Sequence, residues 1–335
     1  MARDGSRLET RPEVGTEHLK KSETALVSGV VVVNKPAGMT SHDVVDVLRR
    51  LFRTKRVGHT GTLDPDATGV LVLCIGNATR LVEYLTAARK HYVTQIVLGV
   101  ETDTQDASGA VVAERSAAHL SEADLLALLP RFRGTIEQIP PMVSARHHEG
   151  KRLHELARAG ITVDREARPV RIDALEMTAF QPGTRVQATL EVTCSTGTYI
   201  RTLAADIGEA AGTGGMMQTL LRTWVGAPEG AFTLDTAHTL EDLRHRAEEQ
   251  SLTAALVPLQ KVVADWIVVQ LTEAQIARFR MGQAVLRSEL SFDDTTPEQA
   301  SPVAVLDRSG AMCGIAKLDA EWLHPVKVFP AEPNE

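Results

Sequence analysis

The residues best placed to do chemistry fall in one short loop. Residues 58–69 read GHTGTLDPDATG, which sets His59, Asp64 and Asp66 among three glycines, three threonines and a proline. Glycine permits backbone conformations closed to other residues. Threonine hydroxyls bond to nearby main chain. Pro65 holds Asp64 extended and fixes the turn that follows. The loop is therefore expected to bend tightly and to carry the Asp64 carboxylate on a stiff support, as a catalytic carboxylate requires. Three other readings compete. Asp-Pro also starts ordinary Asx turns. His59, Asp64 and Asp66 could ligate a metal, although their spacing matches no standard ligand motif. The glycines could cradle a phosphate, although neither a Walker lysine nor a GxGxxG accompanies them.

Regular elements must position this loop. GVVVVN at 29–34 is a short apolar run that predicts a buried strand ending at Lys35-Pro36. Thr40 or Ser41 can cap the next helix, on which Val44, Val47, Leu48, Leu51 and Phe52 share one face. After the loop come a strand at 70–75 and an alternating strand at 91–100, then a polar turn, 101–109, that leads into a hairpin through 110–113. Ser121 and Asp124 form a capping-box pair. Lys151–Ala159 predicts a short basic helix stopped by Gly160. A strand at 188–194 precedes a helix at 199–211. Leu240–Gln250 predicts a charged helix. Beyond about residue 260 short strands surround one helix, 272–281, with Gln275 completing a capping box. Local hairpins with interspersed helices predict an α+β fold.

Composition narrows the class. The 335 residues are 43% hydrophobic and 24% charged, and no apolar run reaches the length of a membrane span. The first 27 residues are polar, lack an apolar signal core, and read as a mobile tail. Cys74, Cys194 and Cys313 are far apart with no CxxC pair, which argues against a disulfide framework or structural zinc and suits a reducing cytoplasm. The net charge of −7 argues on its face against a nucleic-acid partner. Phosphate binding, however, depends on local basic surface. Arg49, Arg50, Arg53, Lys55 and Arg56 lie together with no acid among them, and residues 131–171 hold nine Lys/Arg against five Asp/Glu.

Four segments in order, VNKPAGMTSHDVV, GHTGTLDPDATGVLVLCIGNATRL, KHYVTQIVLG and CSTGTYIRTLAADIG, resemble the successive motifs of the TruB family of tRNA pseudouridine synthases. TIEQIPPMVSARHHEGKRLHELARAGI is similar to the RNA-gripping insertion of bacterial members, and LTEAQIARFRMGQAV with AMCGIAKLD is similar to a PUA RNA-binding domain. The resemblance implies a pseudouridine-synthase core with a mixed, largely antiparallel sheet and flanking helices, plus a small C-terminal PUA-like β-rich domain. It implies a tail at 1–27, a catalytic domain at 28–258 with its insertion at 131–171, and a PUA-like domain at 259–330. The implied reaction is isomerisation of uridine 55 in the T-loop of tRNA to pseudouridine, after base flipping, with no metal or organic cofactor. The implied setting is a cytoplasmic monomer with tRNA as partner, no membrane and no obligate protein partner.

Residue by residue, Asp64 matches the family's catalytic aspartate. Arg201 matches its active-site arginine, and a guanidinium there would lower the Asp64 pKa. Tyr92 matches the aromatic that stacks on the target base. His59, Tyr199 and Leu220 match substrate-binding positions, and Lys35 fits a strand-end loop near the pocket. Arg49, Arg53, Lys55, Arg56, Arg146, Lys151, Arg152 and Arg158 are the expected phosphate contacts. The chain departs from the common pattern at Val143, His147-His148, Asp66 and Thr223-Trp224. Two other functions remain to be separated from this one: a non-catalytic tRNA-binding or folding protein using the same surface, and a metal-dependent hydrolase using His59, Asp64 and Asp66.

Overall fold

The computed structural model describes residues 27–142, 161, 163–226, 232–291 and 297–330, with the backbone alone of 147–148 and 151–152. In chain order the first strands and helix are β1 (Gly29–Lys35), α1 (Ser41–Leu51), β2 (Val57–His59) and β3 (Thr68–Ile75). The short helix α2 (Val82–Thr86) leads to β4 (Lys90–Leu98). A small hairpin, β5 (Val100–Thr102) and β6 (Val111–Glu114), and helix α3 (Glu122–Leu128) precede β7 (Gly134–Gln138). Then come the two-residue strands β8 (His147–His148) and β9 (Lys151–Arg152), followed by β10 (Arg168–Gln181) and β11 (Val186–Cys194). Helix α4 (Ile200–Ala210) runs into β12 (Gly215–Val225) and β13 (Phe232–Thr233). Helices α5 (Leu240–Glu248) and α6 (Leu259–Val262) lead to the C-terminal unit, which is β14 (Ile267–Gln270), α7 (Glu273–Arg280), β15 (Val285–Leu286), β16 (Ala300–Leu306), β17 (Met312–Leu318) and β18 (Trp322–Val328).

The main sheet is nine-stranded, with the order β1-β3-β12-β4-β11-β10-β7, β2 beside β3 and β13 beside β12. Its pairs are antiparallel apart from a short parallel contact of β12 with β3. The five C-terminal strands form their own sheet, β14-β16-β17-β18-β15. The fold is α+β with a β-rich C-terminal unit, as expected.

The apolar run of β1 is explained by burial on both faces. Val31 and Val33, with Leu71, Leu73 and Ile75 of β3, face a core shared with Val44, Val45 and Leu48 of α1. Val30 and Val32, with Val70, Val72 and Cys74, face a second core completed by Ala304, Ile315 and Phe329 of the C-terminal unit. Each fully buried Val or Leu contributes about 1.5–3 kcal/mol. By contrast β11 alternates strictly between buried and half-buried positions, so one of its faces stays open.

The predicted caps form. Thr40 with Asp43, Ser121 with Asp124, and Thr272 with Gln275 each make a reciprocal capping box. Three expectations change. The loop 58–69 is shorter than its sequence pattern, because Gly58-His59 continue β2 and Thr68-Gly69 open β3. The strand expected at 91–100 breaks at Gly99, which adopts φ +100°. Lys151-Arg152 pair with His147-His148 as strands rather than starting a helix, and the rest of that stretch lies outside the described residues. The long strands β10 and β12 had no counterpart in the sequence reading.

Candidate active site

The Asp64 loop is held from several sides. On the N-terminal side of Asp64, the Ser41 hydroxyl donates to the Leu63 carbonyl at 3.1 Å and accepts from the Leu63 N–H at 2.8 Å. On the other side, the Pro65 carbonyl accepts from Lys35 Nζ at 2.8 Å and from the Gly38 N–H at 3.0 Å. Both neighbours of Asp64 are thus tied through main chain, and the stiff support expected from the sequence has a specific origin. Lys35 is fully buried, and its Nζ also donates to the carbonyls of Pro36 and Met39. Burial pushes its pKa down to about 8. It holds the loop from behind and does not line the cavity, a correction to its expected place among substrate contacts.

Arg201 lies in the first turn of α4. Gln138 of β7 clamps the turn before it, accepting from the Tyr199 N–H at 3.0 Å and donating to the Tyr199 carbonyl at 3.3 Å. The guanidinium meets Asp64 with two prongs, Nε to Oδ2 at 3.0 Å and Nη2 to Oδ1 at 3.2 Å. Its remaining nitrogen, Nη1, lies 3.5 Å from Asp106 Oδ2 and donates to the Thr104 carbonyl at 3.3 Å. The Arg201 side chain is 4% exposed and that of Asp64 is 37% exposed. One carboxylate therefore opens to a cavity while the cation that orients it is sealed below. A planar two-pronged pair fixes both oxygens, which a lysine could not do.

The expected lowering of the Asp64 pKa does not result. Burial raises it and outweighs the opposing pull of Arg201, while Asp106 adds to the rise, so the carboxyl titrates above the usual aspartate value.

The cavity measures about 390 Å³ and is lined by His59, Asp64, Tyr92, Tyr199, Arg201 and Leu220, together with Gly61, Lys90, Arg222 and other residues. Six of the seven expected catalytic and substrate-binding residues thus converge on it from β2, the loop, β4, α4 and β12. Tyr92 is 7% exposed, and burial pushes its phenol up, partly opposed by the Arg222 guanidinium beside it. His59 Nδ1 accepts from the Gly61 N–H at 3.3 Å, which leaves the ring proton on Nε2. Burial, reinforced by Arg222, holds its pKa below the usual histidine value. Asp66 is exposed on the outside of the turn. With Asp64 turned to Arg201 and His59 turned to Gly61, these three do not gather as a ligand set, and the described residues hold no group of three or more His, Cys, Asp or Glu suited to a metal.

The phosphate candidates divide. Arg53, Lys55 and Arg56 are exposed in the turn between α1 and β2, next to the strand that carries His59. Arg49 is partly neutralised by Asp46 at 2.9 Å. Arg146 and Arg158 lie outside the described residues, as do the side chains of Lys151 and Arg152. The sequence reading missed Asp106, Lys90 and Arg222. Asp106 was hidden in a polar turn that read only as a hairpin connection. Arg222 lay in LLRTWVG, a segment with no clear period.

A family model described as the TruB family pseudouridylate synthase N-terminal domain matches residues 49–200. Two models for C-terminal domains of the same family match 201–264 and 268–329. The chain belongs to the TruB family. It is 40% identical to tRNA pseudouridine synthase B of Saccharophagus degradans over 88% of this chain and 93% of that one. It is 39% identical to the protein of the same name from Bacillus licheniformis, over 92% and 97% of the two chains. Among solved structures, a Cbf5–Nop10–Gar1 complex superposes with a TM-score of 0.69 at 25% identity, covering 92% of this chain and 87% of that one. An archaeal box H/ACA Nop10–Cbf5 complex superposes at 0.68 and 24% identity over 97% and 93%. The TruB relatives extend over both sheets, so the family assignment covers the C-terminal unit as well as the cavity.

Proposed function

We propose that this TruB-family enzyme converts uridine 55 in the T-loop of tRNA to pseudouridine, with Asp64 as the carboxylate that acts on the flipped nucleotide. The observation that carries this reading is the two-pronged Arg201–Asp64 pair at the cavity that Tyr92 also lines. The names of its relatives support tRNA as the substrate. The cavity is of a size that takes a small ligand such as one nucleoside.

The reaction breaks the N1–C1′ bond and forms a C5–C1′ bond, while C5 loses a proton and N1 gains one. Its atoms balance without a redox partner. Asp64 acts as a nucleophile in its ionised form, for which Arg201 supplies the counter-charge and the orientation. Flipping the uridine costs a few kcal/mol. Stacking on Tyr92 and contact with Leu220 offset part of that cost, and phosphate contacts to Arg53, Lys55 and Arg56 offset more. We assign residues 28–258 to the catalytic domain and 259–330 to a PUA-like RNA-binding domain. No helix of the described residues is long and apolar enough to cross a membrane.

The test is incubation of the purified protein with unmodified tRNA transcript, followed by mapping of pseudouridine. Product at the T-loop uridine supports the reading. Tight binding with no product under single-turnover conditions overturns it in favour of a non-catalytic tRNA-binding protein.

A further inference from the structure

Arg222 is 1% exposed, one of the most deeply buried large side chains in the protein, and its chain position is fixed before its side chain is considered. On one side β12 pairs antiparallel with β4, setting Arg222 opposite Tyr92. On the other it meets β3 in the short parallel contact, setting Arg222 opposite Gly69. Gly69 adopts φ +103°, and a Cβ there would overlap the Arg222 carbonyl oxygen. Only glycine allows this approach.

From that fixed point the guanidinium reaches under the Asp64 loop. Nε donates to the Val70 carbonyl at 2.7 Å, Nη2 to the Gly61 carbonyl at 3.0 Å, and Nη1 lies 3.4 Å from the Thr62 carbonyl. One planar group thus joins strand β12, strand β3 and the segment that leads into Asp64. Lys90 fills the adjoining space, its Nζ donating to the carbonyls of Thr86 and Ala88. A Cβ on Gly61 would lie 3.1 Å from Lys90 Cε and 3.6 Å from Arg222 Nη1, so the loop rests directly on these two cations.

We propose that Arg222 is a positioning residue for pseudouridine formation, a strut that sets the height of the Asp64 loop by holding the carbonyls of Gly61, Thr62 and Val70. The inference rests on the catalytic reading of Asp64 given above. Lys35 and Ser41 restrain the residues on either side of Asp64 from the α1 side. Arg222 restrains the same loop from the sheet side, and the carboxylate is fixed only when both supports act. A displacement of about 1 Å in a reacting group costs about 10²-fold in rate, and a guanidinium replaced by a thioether removes the donors to the two loop carbonyls and to Val70 of β3 together. Lysine keeps the charge but loses the planar fork.

The experiment compares wild type, Arg222→Lys, Arg222→Met and Gly61→Ala in single-turnover formation of pseudouridine on unmodified tRNA transcript. Affinity for the same transcript and thermal melting are measured alongside. Arg222→Met is expected to lower the rate constant by about 10²-fold and Arg222→Lys by about tenfold, with tRNA affinity unchanged. Gly61→Ala, whose Cβ would press on Lys90 Cε and Arg222 Nη1 from the loop side while Arg222 itself is unchanged, is expected to lower the rate while preserving affinity. A second readout is the titration of His59 followed by NMR. Loss of the nearby positive charge in Arg222→Met moves that titration upward, and Arg222→Lys leaves it in place. A folded Arg222→Met, or a folded Arg222→Lys if the methionine variant does not fold, that reacts at the wild-type rate overturns the proposal. So does a rate loss matched by an equal loss of tRNA affinity or of folded protein. Absence of product with wild type would instead overturn the catalytic reading and this inference with it.

Discussion

The two sheets of the molecule treat buried charge in opposite ways. The nine-stranded sheet, with its loops and helix α4, buries Lys35, Lys90, Arg201 and Arg222. The C-terminal sheet and its helix bury Val, Ile, Leu, Phe, Ala and Cys, and among the described residues of 267–328 the one buried polar side chain is the capping Gln275. Taking an ion out of water costs several kcal/mol even after relaxation. The first sheet bears that cost four times, and each time beside the same loop. Lys35 holds Pro65, Arg222 holds Gly61 and Thr62, Lys90 supports Gly61, and Arg201 grips Asp64 itself. Lys35, Lys90 and Arg222 all donate to main-chain carbonyls, which fixes backbone and leaves the Asp64 side chain open for the proposed chemistry. The C-terminal sheet, with no such loop to hold, follows the ordinary rule of apolar burial.

This contrast can be broken at four points. The largest effect is expected for Asp64→Asn, which removes the one carboxylate that lines the cavity among the described residues. Pseudouridine formation should fall by about 10⁴-fold, on the scale of losing an essential catalytic group, with tRNA affinity largely kept. Activity near wild type by quantitative mapping of the product would remove Asp64 from the mechanism. Phe279→Ala probes the other sheet. Phe279 is fully buried, and its loss should destabilise the fold by about 3–5 kcal/mol in denaturant titration. The rate constant per folded molecule should not change, and a specific loss of rate would show that the two sheets are coupled.

Arg201→Met should lower the rate by about 10²–10³-fold and shift the pH profile. The proposed mechanism requires ionised Asp64, whose pKa already lies above the ordinary aspartate value. Activity should therefore be lost as pH falls through that raised value, and removing Arg201 should move the acid limb to still higher pH. An unmoved limb would mean that another group controls it. The smallest effect is expected for the triple replacement of Arg53, Lys55 and Arg56 by glutamine. These side chains are exposed, so stability should hold while tRNA binding weakens. The slope of log affinity against log salt should shrink by about one for each phosphate no longer neutralised. An unchanged slope would place the RNA elsewhere.

Much of this architecture could be read in advance, for identifiable reasons. β4 and β11 announce themselves because one face packs and the other does not, leaving a period of two. Helices α1, α3 and α7 carry capping pairs that require only local geometry. β12 carries no such signal. Its pairing shifts register between Met217 and Thr219 and again between Arg222 and Trp224, and each shift interrupts the alternation. β10 is interrupted twice in the same manner. Arg222 was lost with its strand, since arginine in an aperiodic segment ordinarily lies on the surface. Asp106 was lost for another reason. Its relation to Arg201 joins residues 95 positions apart, and nothing local in either segment points to the other. The Asp64 loop was legible from its own glycines, threonines and proline, but the side chains that hold it, Ser41, Lys35 and Arg222, come from distant segments and were not. The direction of the Asp64 pKa was misread because proximity to a cation is visible in a motif and loss of water is not.

The far wall of β1 and β3 has a consequence in time. Val30, Val32, Val70 and Val72 are covered in part by Ala304, Ile315 and Phe329. During synthesis these four valines leave the ribosome more than two hundred residues before those three side chains. Earlier residues of the same cluster, among them Leu81, Val225 and Leu259, can cover part of this face first, and the remainder stays open to water until the C-terminal unit arrives. Full closure of this wall is therefore a late event in the life of the nascent chain, waiting on residues as far along as Phe329.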